Sequence, residues 1–365
     1  MSLSDHYHRY QEQFAQERVR LLNAFGELIQ GGIVENLEHI GATSVPGLPA
    51  DPCVDMGLTV WPFPLEPHRR AALDSLGYVP VSGYEEAPEQ RFRHSTGSFQ
   101  LHIVEGGSEL WTNYLLIRDY LCSDEDARQR YAAHKQAWAS RVASDPVHYQ
   151  KAQAQLFAQI LDAARQWWVN HHGFAPVRAA AHELKEFRSP WHISSGRAID
   201  LFLGRVTRVH QDVDVVVSRT DQLALQQHMT ARGWKFVTPF QGRREPWPPH
   251  MQLELPRHQA HAHRDGAFID FLLSDIQYGV WRYRRNPVIV QAAERIYLCT
   301  GEGTPFLAPE LVLLFKSKNT SGTERPQDQT DFEAICTHLE PERRAWLRWA
   351  LMVSDPIHPW IDQLA

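Results

Sequence analysis

Two acids one residue apart interrupt an otherwise apolar run, Asp212-Val213-Asp214-Val215-Val216-Val217, so any fold that buries the valines must also accommodate two carboxylates. A series of β-branched residues favours a strand. Residues i and i+2 of a strand point to the same side, which places both carboxylates on one face. Two like charges there repel and are costly to bury unless a cation compensates them. The run Ala267-Phe268-Ile269-Asp270-Phe271 poses the same problem with a single acid. Hard oxygen donors in this grouping suit Mg²⁺, which takes one or two protein carboxylates and completes its shell with water and substrate phosphates. Asp212, Asp214 and Asp270 are the candidate metal ligands, and Asp270 is alternatively a base.

Upstream, Ser194-Ser195-Gly196-Arg197 stands where a strand over 191–194 gives way to a helix over 197–204. Free backbone N–H groups and the positive end of a helix favour phosphate, and small residues permit close approach, so Ser194, Ser195, Gly196 and Arg197 are candidate triphosphate contacts. A serine N-cap on an ordinary helix fits the same residues. Arg205, Arg208 and His210 lie in the loop that leads to the acidic strand, placed to offset charge on a transferred group or simply to be solvated. Lys316 and Lys318 end an apolar helix, where they either reach a nucleotide or complement the helix dipole. Asp328 and Asp331 read first as helix N-terminal acids and second as acids for a cationic substrate. His258, His261 and His263 fall in a polar segment read as loop, without a cysteine or acid at zinc spacing. Trp247, in a rigid loop with Pro246, Pro248 and Pro249, reads first as surface packing and second as the lining of an acceptor pocket.

The chain has 365 residues, 43% of them hydrophobic, enough for two cores and too many for one typical domain. His171 to Pro176 breaks the helical pattern, and the boundary is expected there, giving domains 1–172 and 177–365. Each half reads as α/β, a small mixed sheet with flanking helices. Expected elements include strands over 36–40, 53–60, 99–104, 213–218, 236–237, 251–255 and 268–273. Helices are expected over 67–76, 111–121, 124–144, 149–169, 177–187, 220–232, 309–318 and 331–339. Four dispersed cysteines give neither a disulfide framework nor a thiolate metal site. The net charge of −6 argues against a general polyanion binder, so nucleic acid is not an expected partner. No apolar run is long enough to cross a bilayer, and a cytoplasmic location without membrane partners is expected.

The halves share an order: Gly41, Asp55 and His102 in the first, Gly196, Asp212 and Asp270 in the second, as in a duplicated α/β unit. In the first half Gly41, Thr43, Ser44, Asp55, His102 and Glu105 form a candidate site of unspecified kind. Gly57, two residues after Asp55, supplies no second carboxylate.

Residues 5 to about 170 resemble the GrpB family through His39-Ile40-Gly41-Ala42-Thr43-Ser44-Val45-Pro46-Gly47-Leu48, Asp55, Phe99-Gln100-Leu101-His102-Ile103-Val104 and Arg118-Asp119-Tyr120-Leu121. Residues from about 188 onward resemble aminoglycoside 2''-nucleotidyltransferase-like proteins. The resemblance rests on Trp191, Ser195 to Asp200, Leu203-Gly204-Arg205, Arg208, His210, Asp212-Val213-Asp214, Leu307 to Glu310, Lys316, Asp328 to Phe332 and His358-Pro359-Trp360. Both families imply a polymerase-beta nucleotidyltransferase-like fold. Ser195 stands where a glycine is more usual, Ala42 where GrpB proteins usually have serine, and Asp51 where they often have lysine.

The resemblance implies that the second half is a Mg²⁺-dependent nucleotidyltransferase. It would move AMP from ATP to a hydroxyl of a small-molecule acceptor, with Asp212, Asp214, Asp270, Arg205 and Arg208 in catalysis and Ser194 to Arg197 with Lys316 at the nucleotide. The alternative is a catalytically silent nucleotide- or metabolite-binding protein built from two degenerate copies of the fold.

Overall fold

The computed structural model describes residues 3–30, 33–84, 88–139, 146–241, 243–264, 266–317 and 326–365. Lys318 lies outside them. The chain divides into two compact units, Met1–His171 with Gln241–Arg244, and His172–Phe240 with Glu245–Ala365.

The first unit begins with helices α1 (Leu3–Ala24) and α2 (Gly26–Gln30). Its sheet comprises β1 (Val34–Ile40), β2 (Val54–Val60), β3 (Tyr78–Pro80), β4 (Glu89–His94) and β5 (Phe99–Glu105), in the order β1-β2-β5-β4-β3. Neighbours are antiparallel except β2 and β5. Short α3 (Ala71–Ser75) precedes β3, and α4 (Glu109–Ser123), α5 (Glu125–Ala139) and α6 (Pro146–His172) follow β5. Leu21 and Phe25 pack with Met56, Leu58, Leu101 and Ile103 in a core from which solvent is excluded. Fully burying one such side chain contributes about 1.5–3 kcal/mol. Helix α4 is capped by Ser108, whose Oγ accepts from the Trp111 N–H at 3.3 Å.

The second unit opens with α7 (Ala175–Glu183), β6 (Trp191–Ile193), α8 (Ser195–Leu203), β7 (Asp214–Ser218) and α9 (Gln222–Thr230). Strands β8 (Lys235–Phe240), β9 (Arg243–Pro246), β10 (Gln259–Arg264), β11 (Ala267–Gln277), β12 (Val280–Arg282), β13 (Val290–Ala292), β14 (Tyr297–Cys299) and β15 (Pro305–Leu307) follow. The main sheet of this unit runs β14-β15-β6-β7-β11-β10-β8, Glu245 and Pro246 of β9 belong to it as well, and β12 and β13 branch from β11. Helices α10 (Pro309–Lys316), α11 (Pro326–Ile335), α12 (Pro341–Ser354) and α13 (Trp360–Gln363) complete the chain. Leu311, Leu313 and Leu314 of α10 are fully buried, and Phe332 of α11 stacks on Trp360 with ring centroids 4.2 Å apart.

Five consecutive strands of each sheet match. Strand order β1-β2-β5-β4-β3 in the first unit corresponds to β6-β7-β11-β10-β8 in the second, with the same alternation of antiparallel and parallel neighbours. Both architectures are mixed α/β, as the residue patterns indicated.

Several elements differ from expectation. Residues 251–255 form no strand: Leu253 donates its N–H to Gln222 Oε1 at 2.6 Å, so a side chain does what a neighbouring strand would have done. Gln259 to Arg264 is strand β10 rather than loop, because small Ala260 and Ala262 supply the buried face that larger apolar residues usually mark. Trp247 is buried, its indole N–H donated to the Met251 carbonyl at 2.7 Å. The stretch 67–76 splits into a 3-10 turn at Pro67–Arg69 followed by α3.

Candidate functional site

In the second unit, register brings the acids together. Strands β7 and β11 are parallel with Asp214 opposite Asp270, so the two side chains leave the sheet on the same face. The ladder extends one bond upstream, from the Asp270 N–H to the Val213 carbonyl at 3.0 Å. Asp212 itself precedes the strand, in contrast to the expected i, i+2 pair within it. What holds it is Arg197, buried in α8, whose Nε donates to the Asp212 carbonyl at 2.6 Å and whose Nη2 donates to the His210 carbonyl at 3.3 Å. Arg197 thus shapes the loop that carries the acids.

Asp214 is partly exposed as a residue, but its carboxyl group is closely surrounded. Burial and the neighbouring Asp212 charge push its pKa up to about 7, against the opposing pull of the Ser195 hydroxyl, Lys316 and Arg197. Burial likewise raises Asp212, opposed first by Arg197 and His210. The Asp212 charge adds to the cost of ionising Asp214, so the two acids together favour a compensating charge. Asp270 is buried, accepts from Gln259 Nε2 at 3.0 Å and has His261 Nε2 at 3.7 Å. Among the described residues no group of three His, Cys, Asp or Glu side chains is gathered closely enough to hold a metal ion by itself.

The turn before α8 explains its small residues. Ser195 has φ +53°, the left-handed region that costs a non-glycine residue about 1–2 kcal/mol and that makes glycine the easier choice. Its hydroxyl lies near enough to Asp214 to favour the ionised carboxyl. Ser194 is the N-cap residue but makes no side-chain cap bond, so the capping alternative does not account for it. A Cβ on Gly196 would collide with the His210 ring and lie 2.6 Å from Arg208 Nη2, so Gly196 admits the His210 imidazole and the Arg208 guanidinium to the turn.

Arg208 is anchored by buried Asp331, whose Oδ2 accepts from Arg208 Nη2 at 3.2 Å and from Lys316 Nζ at 2.8 Å. Asp328 Oδ1 takes Lys316 Nζ as well, at 2.7 Å. The acids of α11 thus hold two cations beside the acidic strand, which is neither simple capping nor capture of a cationic substrate. Arg205 lies beyond the C-terminal end of the nine-residue helix α8, about 13 Å along its axis from Ser195, and is exposed. Of the two loop arginines, Arg208 returns to the turn and Arg205 does not.

Asp200 belongs to the stretch Ser195 to Asp200 that carries the resemblance, with no role attached to it by the sequence. It is buried, accepts from the Thr207 N–H at 2.9 Å and hydroxyl at 2.6 Å, and meets His210 Nε2 at 2.7 Å. Burial lowers the His210 pKa, so the neutral ring donates to Asp200 and the pair closes the loop between α8 and β7. An acid in the apolar run Ala198-Ile199-Asp200-Leu201-Phe202 was the available signal.

In the first unit Asp55 and His102 do meet, with His102 Nε2 at 3.3 Å from Asp55 Oδ1. Glu105 does not join them. It is three residues from His102 along β5, hence on the other face. The second acid is Glu89 of β4, whose Oε2 lies 3.1 Å from His102 Nδ1 and accepts from the Tyr114 hydroxyl at 2.5 Å. Burial alone would raise Glu89, but bonds from His102, Tyr114 and Arg91 bring its pKa to about 2. Gly41 has φ +70°, and a Cβ there would fall 2.5 Å from Asp55 Oδ2, so the carboxylate packs against the glycine. Thr43 and Ser44 are turned inward: Thr43 Oγ1 meets His39 Nε2 at 2.9 Å and the Ser44 hydroxyl donates to the Gly41 carbonyl at 2.6 Å.

Residues 1–163 match the family profile described as GrpB protein. A UPF0157 protein of Streptomyces coelicolor is 32% identical over 168 residues, 45% of this chain and 84% of that protein. The chain belongs to the GrpB family. A UPF0157 protein of Halalkalibacterium halodurans is 27% identical over 165 residues, 45% of this GrpB-family chain and 82% of that protein. Residues 177–280 match the profile described as aminoglycoside-2''-adenylyltransferase, so an adenylyltransferase-like domain follows the GrpB part. Among solved structures, GrpB from Enterococcus faecalis is similar with a TM-score of 0.37 and 22% identity, covering 42% of this chain and 92% of that one. The antibiotic-resistance factor ANT(2'')-Ia is similar with a TM-score of 0.36 and 17% identity, covering 49% and 90%. No helix among the described residues is long and apolar enough to cross a membrane.

Proposed function

We propose that the second unit transfers a nucleoside monophosphate, AMP, from ATP to a hydroxyl of a small molecule and releases pyrophosphate. The observation that carries this reading is the register of β7 and β11, which sets Asp214 beside Asp270 at the foot of the Ser195-Gly196 turn, with Asp212 one residue before the strand. Two carboxylates in mutual repulsion fit Mg²⁺, whose remaining positions water and triphosphate oxygens would fill. Asp212 and Asp214 would hold the ion, which when bound supplies charge neutralisation on the phosphates.

The protein's own groups account for the rest. Backbone N–H groups of the first turn of α8 would meet the triphosphate, at the positive end of the helix. Arg208 and Lys316, kept in place by Asp331, offset the charge that moves onto pyrophosphate as its bond to the α-phosphorus breaks. Asp270, steadied by Gln259, receives the acceptor's hydroxyl proton as that oxygen bonds to phosphorus. The resemblance to antibiotic-modifying enzymes supports the reaction class, whereas the acceptor depends on a pocket that differs among proteins of one fold.

The test is pyrophosphate release from ATP and Mg²⁺ with a panel of hydroxylated acceptors, aminoglycosides included, and analysis of the acceptor for an added AMP. Asp214→Asn should lower the rate at least about a hundredfold while the protein remains folded. Undiminished turnover in that variant refutes the assignment.

A further inference from the structure

The register that sets Asp214 beside Asp270 sets Gly57 beside His102 in the first unit. Asp55 then corresponds to Asp212, Gly57 to Asp214 and His102 to Asp270, so two of three acids are replaced. The place of one is also filled. A Cβ on Gly57 would lie 2.7 Å from Trp111 Cζ3 and 3.3 Å from Ile40 Cδ1, which leaves no room for a carboxylate unless α4 moves.

We propose that the first unit carries a built-in cation, the imidazolium of His102 clamped between Asp55 and Glu89, in place of the divalent ion that the second unit's arrangement calls for. Each ring nitrogen faces a carboxylate oxygen, Nε2 to Asp55 at 3.3 Å and Nδ1 to Glu89 at 3.1 Å. An ionised carboxylate only accepts, so both contacts are hydrogen bonds only when both nitrogens carry hydrogen. Glu89 is saturated with further donors, the Tyr114 hydroxyl and Arg91 Nε, each at 2.5 Å, and these hold it ionised.

The groups facing the ring are Asp55 from β2, Glu89 with Arg91 behind it from β4, Tyr114 from α4 and Gln100 from β5. The Gln100 amide nitrogen is placed 3.1 Å from Nε2, so a protonated ring requires the amide in its flipped orientation, with the oxygen towards Nε2. One imidazolium and one guanidinium balance two carboxylates without any metal. Burial opposes the charged ring, but the bonds to Asp55 and Glu89 outweigh it and raise the His102 pKa. A GrpB part built in this way keeps the shape of the fold and has no metal-assisted chemistry at Asp55.

Two measurements on the full chain test this. With histidine-selective ¹⁵N labelling, the His102 ring, identified by its loss in His102→Gln, should show both nitrogens protonated at pH 7, where solvent-exposed rings of pKa about 6.5 are mostly neutral. A neutral His102 ring at that pH overturns the proposal. In the second, Mn²⁺ binding is followed by electron paramagnetic resonance in Asp212→Asn/Asp214→Asn protein, which silences the acids of the second unit. No bound Mn²⁺ that depends on Asp55 is expected, and a Mn²⁺ site abolished by adding Asp55→Asn overturns the proposal. This arm stands even if His102→Gln does not fold. Neither readout depends on whether the second unit transfers nucleotides.

Discussion

Asp214→Asn separates stability from activity at the candidate site. In metal-free protein the Asp214 carboxyl titrates near 7 instead of 3.8, chiefly because it is buried and then because Asp212 is charged beside it. Its folded pKa lies above its unfolded one, so ionising it disfavours the native state. The native chain binds more protons than the unfolded chain between about pH 4 and pH 7, and stability falls with rising pH across that window. The cost is absent below about pH 4 and complete above about pH 7. At 1.36 kcal/mol per unit, the shift corresponds to about 4 kcal/mol, and because the repulsion is shared with Asp212, about 2–4 kcal/mol is expected. Asparagine carries no charge. In EDTA at pH 8, Asp214→Asn should therefore unfold roughly 5–10 °C higher than the parent in a thermal melt followed by circular dichroism. At pH 4 the two should melt together. Adding Mg²⁺ at pH 8 should raise the parent's melting temperature and leave the variant nearly unchanged. Equal melting temperatures in EDTA at pH 8 would refute the claim that these two acids form an uncompensated pair.

Other perturbations separate the roles assigned here. Asp331→Asn removes the anchor of Arg208 and Lys316, so KM for ATP should rise about tenfold in steady-state pyrophosphate assays, while Arg205→Ala should leave it unchanged. Gly41→Ala combines a left-handed backbone with a Cβ against the Asp55 carboxylate and should cost about 1–3 kcal/mol in urea denaturation. Phe332→Ala leaves Trp360 without its stacking partner in a closed core and should destabilise the second unit by about 3–5 kcal/mol, read as a lower denaturation midpoint. Glu89 has a depressed folded pKa of about 2, so its contribution is present above about pH 4.3 and is lost as pH falls towards 2. Glu89→Gln should therefore flatten that part of the acid-denaturation curve.

The chain's own residues determined where chemistry could sit in the second unit, because an acid in a valine run is costly wherever the run is buried, whatever it packs against. Asp212, Asp214 and Asp270 were visible for that reason, and so was the Ser195-Gly196 turn, since small residues between a strand and a helix mark close approach. The parallel order of the two units was legible in the sequence Gly41, Asp55, His102 and its counterpart Gly196, Asp212, Asp270. What only the tertiary structure decided was which charged groups meet. Asp331 lies 123 residues from Arg208, and Glu89 reaches His102 across two antiparallel strands, so no local spacing announces either pair. Arg197 and Arg208 carry the same guanidinium within one short segment. Burial turns the first onto backbone carbonyls, and the close approach permitted by Gly196 turns the second towards the acids. Side-chain type set the available charges, and long-range packing fixed their partners, because a Coulomb interaction depends on distances that only the folded chain creates.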